Sequence, residues 1–221
     1  ENARRIRETI SSSMWQTLNT TWIGVGPARR RATTSHQFFA WVRERAALVS
    51  GIADATMSRD EAWLFMVLGR SLERADMTAR LIQSASITSG SQSAWNNVLR
   101  GCGAHHAFVR TYGGVTTDRD AAEFLLLDRL FPRSVIHSIT VAENCMSAID
   151  PVADRVGHSN TVLRALGRIR NDLEYRPIEE ILAELPEHME QVQKVTRQAS
   201  EAIRDRFFPT HAEPSWIGET S

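Results

Sequence analysis

Three features of the sequence predict an all-α fold, a multi-helix bundle of about eight or nine helices around one long central helix. Apolar residues recur at helical spacing in most of the chain, and residues 58–85 carry this pattern without a proline. Glycine, proline and small polar residues separate the helical segments. No segment shows convincing strand alternation. We expect residues 1–208 to form a single α-helical domain and residues 209–221, which contain two prolines, to be an extended or disordered tail.

Composition limits the classes of function. The 221 residues carry 26 basic and 26 acidic side chains, so the formal net charge is zero. This balance argues against bulk attraction to nucleic acid or to anionic lipid. The two cysteines do not form a disulfide framework, and neither a signal peptide nor a long apolar segment is present. We therefore expect a cytoplasmic protein that binds neither nucleic acid nor membrane.

The first part of the chain predicts two helices. Residues 1–23 carry an apolar face that includes Ile6, Ile10 and Leu18. Residues 24–34 contain two glycines, a proline and three arginines, so we expect a loop there. Thr34 or Ser35 is placed to cap a second helix that ends near residue 56.

The central helix, residues 58–85, shows two stripes. The spacing of Ser58 and Glu61 is typical of a capping box. Its apolar stripe consists of Leu64, Phe65, Leu68, Leu72, Ala75, Ala79 and Ile82. A second stripe interleaves charge with Met and Trp: Trp63, Met66, Gly69, Arg70, Glu73, Asp76, Met77 and Arg80. Met and Trp favour coverage of this face too, and charges under cover must pair. The alternative is a set of solvated pairs worth a few tenths of a kcal/mol.

The second half of the chain predicts further helices. We expect one over residues 95–112, closed by Gly113-Gly114, and a short one capped by Thr117. Another begins at residues 131–134 and a fourth covers residues 162–173. The last helix, residues 180–208, holds Pro186 as a kink or a new start.

Motifs for familiar chemistry are absent from the sequence. It contains no Gly-rich phosphate loop, no zinc spacing, no nucleophile elbow and no Glu-x-x-His pair, so we expect no metal and no cofactor. Cys102 and Cys145 are best explained as buried structural residues.

Four blocks resemble the α-E family, bacterial all-helical domains named for a Glu-Arg motif. Residues 68–81, LGRSLERADMTARL, resemble its signature, with the motif at Glu73-Arg74. Residues 1–4 with Arg7, Trp15 and Asn19 resemble an earlier block, and residues 123–134 and 173–175 resemble two later ones. Family domains begin further upstream with their own Tyr-x-Glu-Arg-Ala-type helix, so the resemblance implies a fragment that lacks the N-terminal part.

The resemblance also implies a site and partners. It places Glu1, Asn2 and Arg4 at the same polar site as Glu73, and it gives Arg133 an inward role against Glu73 or an anionic ligand. Arg70, Arg74 and Arg80 complete the candidate cluster. Similar proteins occur fused to, or encoded beside, circularly permuted ATP-grasp ligases and transglutaminase-like peptidases.

Three functions stay open at this stage. The first is a non-catalytic accessory domain of a system that makes peptide or amide bonds, whose cluster binds a small polar ligand or fixes the ligase interface. The second is an enzyme with Glu73 as general acid/base and Arg74, Arg80 or Arg133 as anion clamps. The third gives the charges a role only in the register of helix packing. Substrate and oligomeric state are not specified by the sequence.

Overall fold

Helices form all the regular secondary structure in the part of the chain that the structure describes. A computed structural model describes residues 2–87, 92–113, 117–151, 155, 157 and 160–209. The chain divides into two compact units, Glu1–Trp63 (unit 1) and Leu64–Ser221 (unit 2). Nine helices of eight or more residues lie within the described residues, which confirms the all-α multi-helix prediction. A single domain over residues 1–208 stays a prediction, and the predicted tail lies outside the described residues from 210 onward.

Unit 1 is built on a helical hairpin. A short helix α1, Asn2–Arg5, and a 3-10 turn, Arg7–Thr9, precede α2, Ser12–Arg31, and α3, Ser35–Thr56. The predicted single helix over residues 1–23 is therefore interrupted. The Thr9 hydroxyl donates to the Ile6 carbonyl at 2.7 Å, and the Ser11 side chain accepts from the Met14 amide and caps α2. Thr34 caps α3, as predicted.

The predicted loop over residues 24–34 is wrong, because α2 continues to Arg31. Gly24 serves close packing: a Cβ there would lie 3.1 Å from Cζ2 of Trp41 on α3. Pro27 lies inside the helix and lacks the amide hydrogen that would continue the backbone ladder. The chain reverses only after Ala32, whose amide donates to the Ala28 carbonyl.

Eight further helices follow in chain order: α4 Glu61–Ile87, α5 Gln92–Gly101, α6 His105–Tyr112, α7 Asp118–Leu127, α8 Val135–Ile149, α9 Thr161–Tyr175, α10 Ile178–Ala183 and α11 Leu185–Phe207. The core of unit 2 packs α9 against both α8 and α11. Its large, fully buried side chains include Phe108, Phe124, Ile139, Met146, Leu166 and Leu173.

Helix boundaries in this part correct the predictions in two places and decide between two predicted outcomes in a third. The Asp60 side chain, not Ser58, accepts from the Trp63 amide at the start of α4. Residues 95–112 form two helices, because Gly103 at φ 64° ends the first one. Pro186 lies in the first turn of α11 and so marks a new start, one of the two predicted outcomes.

Candidate functional site

The apolar stripe of α4 lies in the core, and the second stripe is largely open. Leu68, Leu72, Ala75, Ala79 and Ile82 are buried. On the second stripe, Gly69, Glu73, Met77 and Arg80 are exposed, while Met66, Arg70 and Asp76 are half-buried. The exposure of Glu73 therefore agrees with the alternative of a solvated face and not with coverage of this stripe.

Asp76 is the hydrogen-bond acceptor for charged and polar side chains around this stripe. Its carboxylate accepts from Arg80 twice, from Nε to Oδ2 at 2.6 Å and from the second guanidinium nitrogen to Oδ1 at 3.2 Å. The buried hydroxyl of Thr196 on α11 also reaches Oδ1, at 3.5 Å. The hydrogen bond and charge of Asp76 raise the pKa of Arg80, and the Glu73 charge adds to this effect. The predicted pairing of Glu73 with Arg80 thus acts through space, while Asp76 holds the guanidinium.

A shallow polar pocket of about 230 Å³ opens beside this pair. It lies between α4 and α11, and its lining, here called the α4 pocket, consists of Leu72, Glu73, Asp76, Arg80, Thr196, Arg197 and Ser200. Two carboxylates and two guanidiniums give the lining both signs of charge. Such a surface suits a partner that also presents both signs.

The other predicted arginines of α4 and Arg133 point to different neighbours. The charge of Arg70 lowers the pKa of Cys145 on α8 against the larger, opposite effect of burial, which places this guanidinium toward α8. Arg74 is half-buried. Arg133 is exposed, and its guanidinium donates to the Cys102 carbonyl at 3.5 Å, while its own carbonyl accepts from the Thr78 hydroxyl at 2.9 Å. The predicted cluster is therefore spread over several neighbours.

The three candidates at the N-terminus belong to unit 1. Glu1 lies outside the described residues, Asn2 begins α1, and Arg4 on the same helix is exposed. Their convergence on the site of Glu73 stays a prediction.

A partly buried cluster of glutamates and arginines does exist, at a place that the sequence analysis missed. Arg170 on α9 donates from Nε to Oε2 of Glu143 on α8 at 2.5 Å and from a terminal nitrogen to Oε2 of Glu174 at 2.9 Å. The other oxygen of Glu174 pairs with Arg129. Arg170 and Glu174 are four positions apart on one helix, a signal that was readable. Glu143 lies on another helix and gave no local signal.

The thiols and the other chemical signals agree with a structural role for the cysteines. Cys102 and Cys145 are buried and free, and burial raises the pKa of both thiols.

Within the described residues, no group of three or more His, Cys, Asp and Glu side chains is arranged to hold a metal ion. None of the described helices combines the length and the apolar character needed to cross a membrane.

Comparison with known proteins gives one match. The model of the Alpha-E family, described as a predicted alpha-helical domain with a conserved ER motif, matches residues 1–208. Searches of curated proteins and of solved structures give no match.

Proposed function

From the premise that the chain belongs to the Alpha-E family, we propose that it is a non-catalytic helical binding domain of a bacterial ATP-grasp system that forms peptide or amide bonds. Its partner is an ATP-grasp-type ligase, fused or separate, and a transglutaminase-like protein belongs to the same system. The α4 pocket, which Glu73 lines, contacts the ligase or a polar group of the molecule that the ligase modifies.

The observation that carries this proposal is the position of Glu73. Its side chain is exposed on a long core helix, next to the two-point Asp76–Arg80 pair and to the exposed Arg197. Exposed charges on a rigid helix are suited to steer a partner and to set its register, because they need little rearrangement before contact.

The same geometry favours binding over acid–base catalysis at Glu73. A general acid or base usually acts in a site that excludes bulk water from the reacting group. Glu73 is open to solvent. Two of the three arginines that the enzyme hypothesis names as anion clamps have other partners, Asp76 for Arg80 and the Cys102 carbonyl for Arg133.

Charge reversal at Glu73 tests the proposal. The chain is titrated by biolayer interferometry against the ATP-grasp ligase encoded beside it or fused to it. Glu73→Arg should weaken binding about tenfold or more, because it places like charges beside Arg80 and Arg197 at the contact. Glu190→Arg is the matched control, since Glu190 is exposed on α11 and does not line the pocket.

Two results would count against the proposal. One is unchanged affinity of a normally folded Glu73→Arg chain for the ligase. The other is ligase-free turnover by the purified chain that Glu73→Gln abolishes, which would support the enzyme hypothesis instead.

A further inference from the structure

The cleft between α8 and α9 is a second polar site, distinct from the α4 pocket. Its volume is about 580 Å³, within the range of roughly 300–1,000 Å³ typical of small-molecule sites. The lining, here called the α8–α9 cleft, consists of Arg129, Ile136, His137, Thr140, Val141, Glu143, Asn144, Ser147, Arg170 and Glu174.

A chain of ion pairs fixes the charged wall of the cleft. Arg170 bridges Glu143 and Glu174, and Glu174 also holds Arg129. The side chains of Glu143, Arg170 and Glu174 are only 21%, 26% and 20% exposed. The hydrogen bond that Arg170 donates to Glu143 is the largest cause of the raised pKa of Arg170. The two carboxylates and two guanidiniums together carry no net charge. This wall is therefore suited to a ligand that itself carries one positive and one negative charge.

One end of the cleft offers hydrogen-bond donors for an anion. The Arg129 side chain is 72% exposed even though it contacts Glu174, so much of its guanidinium faces solvent. His137 lies beside it, with Nδ1 2.8 Å from the Arg129 carbonyl oxygen. Because a carbonyl only accepts, Nδ1 donates in this contact, and Nε2 of the neutral ring is left as an acceptor. The hydrogen-bond donors at this end therefore belong to the Arg129 guanidinium, whose natural partner is a carboxylate.

The other end offers an acceptor for a cation. Glu143 uses Oε2 for Arg170, and its Oε1 lies over Gly167 of α9, only 3.2 Å from where a Cβ would be. The glycine lets the carboxylate approach α9 and leaves this oxygen without a side chain over it from that position. A ligand ammonium is the complementary group.

The spacing of the two ends fits a short peptide. Glu143 follows His137 by six positions on α8, a rise of about 9 Å at 1.5 Å per residue. Two extended residues span about 7 Å, which is of the same order as this rise. Thr140, Asn144 and Ser147 line the same cleft and supply neutral hydrogen-bonding groups for an amide.

We infer that the α8–α9 cleft binds a small zwitterion of the peptide class, with its free carboxylate at Arg129 and its free ammonium at Glu143. This site shares no residue with the α4 pocket, so it stands or falls independently of the proposed ligase contact.

Titration of the full chain with alanyl-alanine, followed by amide chemical shifts in heteronuclear NMR, tests the inference. We expect saturable shifts at the lining residues of α8 and α9. N-acetylation and C-terminal amidation of the dipeptide should each weaken binding about tenfold or more, because each removes one charge-assisted contact. Inorganic phosphate should not compete at equal concentration, since it satisfies only one end.

Variants separate ligand binding from packing. Gly167→Ala should weaken binding of the free dipeptide but leave the N-acetylated one unchanged, because the new methyl crowds only Glu143 Oε1. Arg129→Gln should weaken the free dipeptide but not the amidated one, and this exposed side chain is replaced without harm to the fold. Arg168→Gln, exposed on α9 outside the cleft, is the control.

The inference is overturned by three outcomes. They are absence of saturable shifts at millimolar dipeptide, equal binding of the free and both capped peptides, and phosphate competition that shows an anion site alone.

Discussion

The two units of the chain differ in how they place their large apolar side chains. Unit 2 buries Phe108, Phe124 and Leu166 almost completely. In unit 1, Trp22 is 75% exposed and Ile23 is 70% exposed, and the described buried residues are Met14, Thr17 and Ala53. Unit 1 thus buries few of its apolar residues, whereas unit 2 encloses an extended set of them.

The number of helices explains the difference. A helix buries one stripe against a neighbour, and a core needs neighbours on several sides. In unit 2, α9 packs against both α8 and α11. In unit 1, the long helices α2 and α3 pack against each other, so each has one long partner within the unit. Side-chain caps and close packing at Gly24 organise this hairpin, whereas an enclosed core organises unit 2.

Truncation of one large apolar residue in each unit gives the largest expected contrast. Leu166→Ala in unit 2 should lower the free energy of unfolding by about 3 kcal/mol, because it leaves a cavity in a fully enclosed site. Trp22→Ala in unit 1 should change it by no more than about 0.5 kcal/mol, since most of the indole already contacts water. Urea unfolding followed by circular dichroism measures both values.

Leu166→Met is the control for the core site, because it keeps the volume and should cost less than about 1.5 kcal/mol. A loss at Trp22 as large as that at Leu166 would break the contrast, since it would show that the indole is covered in solution.

Helix caps sharpen the comparison at a smaller scale. Asn160 is buried in unit 2, where its Oδ1 accepts from the amides of Val162 and Leu163 and its amide donates to Asp150. Asn160→Ala should lower the free energy of unfolding by about 2 kcal/mol, because the buried amides that Asn160 caps lose their acceptor. This value is at the upper end for the loss of a helix cap. Thr34 caps α3 from an exposed position. Thr34→Ala should cost about 0.5 kcal/mol.

Asn160→Ser is the matched variant, since serine keeps an oxygen able to cap α9, and it should recover part of the loss. If urea titrations gave equal losses of unfolding free energy for Asn160→Ala and Thr34→Ala, burial of the cap would contribute nothing to stability.

Local sequence predicted those parts of the fold that one helix determines by itself. The apolar stripe of α4 is buried from Leu68 to Ile82, Thr117 forms a capping box with Asp120, and Gly113 ends α6 in the left-handed conformation. The role of Gly24 was missed because it depends on Trp41, which belongs to another helix. A glycine three residues before a proline predicts a turn until its packing partner is known.

The candidate site shows the same limit. Periodicity placed Glu73, Asp76 and Arg80 on one stripe, and in the structure all three line the α4 pocket. It did not predict that Met77 on this stripe would be exposed, because coverage depends on what packs against the helix. The contact between Glu143 and Arg170 joins residues of two helices, so the residue spacing within one helix does not predict it.

The smallest expected effect is a pH dependence of the free energy of unfolding that arises from the two cysteines. We expect it in unit 2 and not in unit 1. Both thiols lie in unit 2, where burial raises their pKa above the ordinary value of about 8.5. The folded chain therefore keeps these protons when the unfolded chain would lose them. This contribution to stability is fully present below the unfolded pKa and falls as the pH rises through it toward the folded pKa. The free energy of unfolding, measured with urea, should be lower at pH 9.5 than at pH 7.5. These two pH values lie on either side of the ordinary thiol pKa.

The double variant Cys102→Ala, Cys145→Ala tests the cause, because it should flatten this pH dependence between neutral and moderately alkaline pH. Burial of the Tyr112 hydroxyl also raises its pKa, but a phenol ionises at a higher pH, near 10, and so affects mainly the alkaline end. Unit 1 contains neither cysteine, so the helical signal of α2 and α3 should not follow the titration. Rapid alkylation of both thiols in the native chain at neutral pH would contradict their burial and, with it, the enclosed core that distinguishes unit 2 from unit 1.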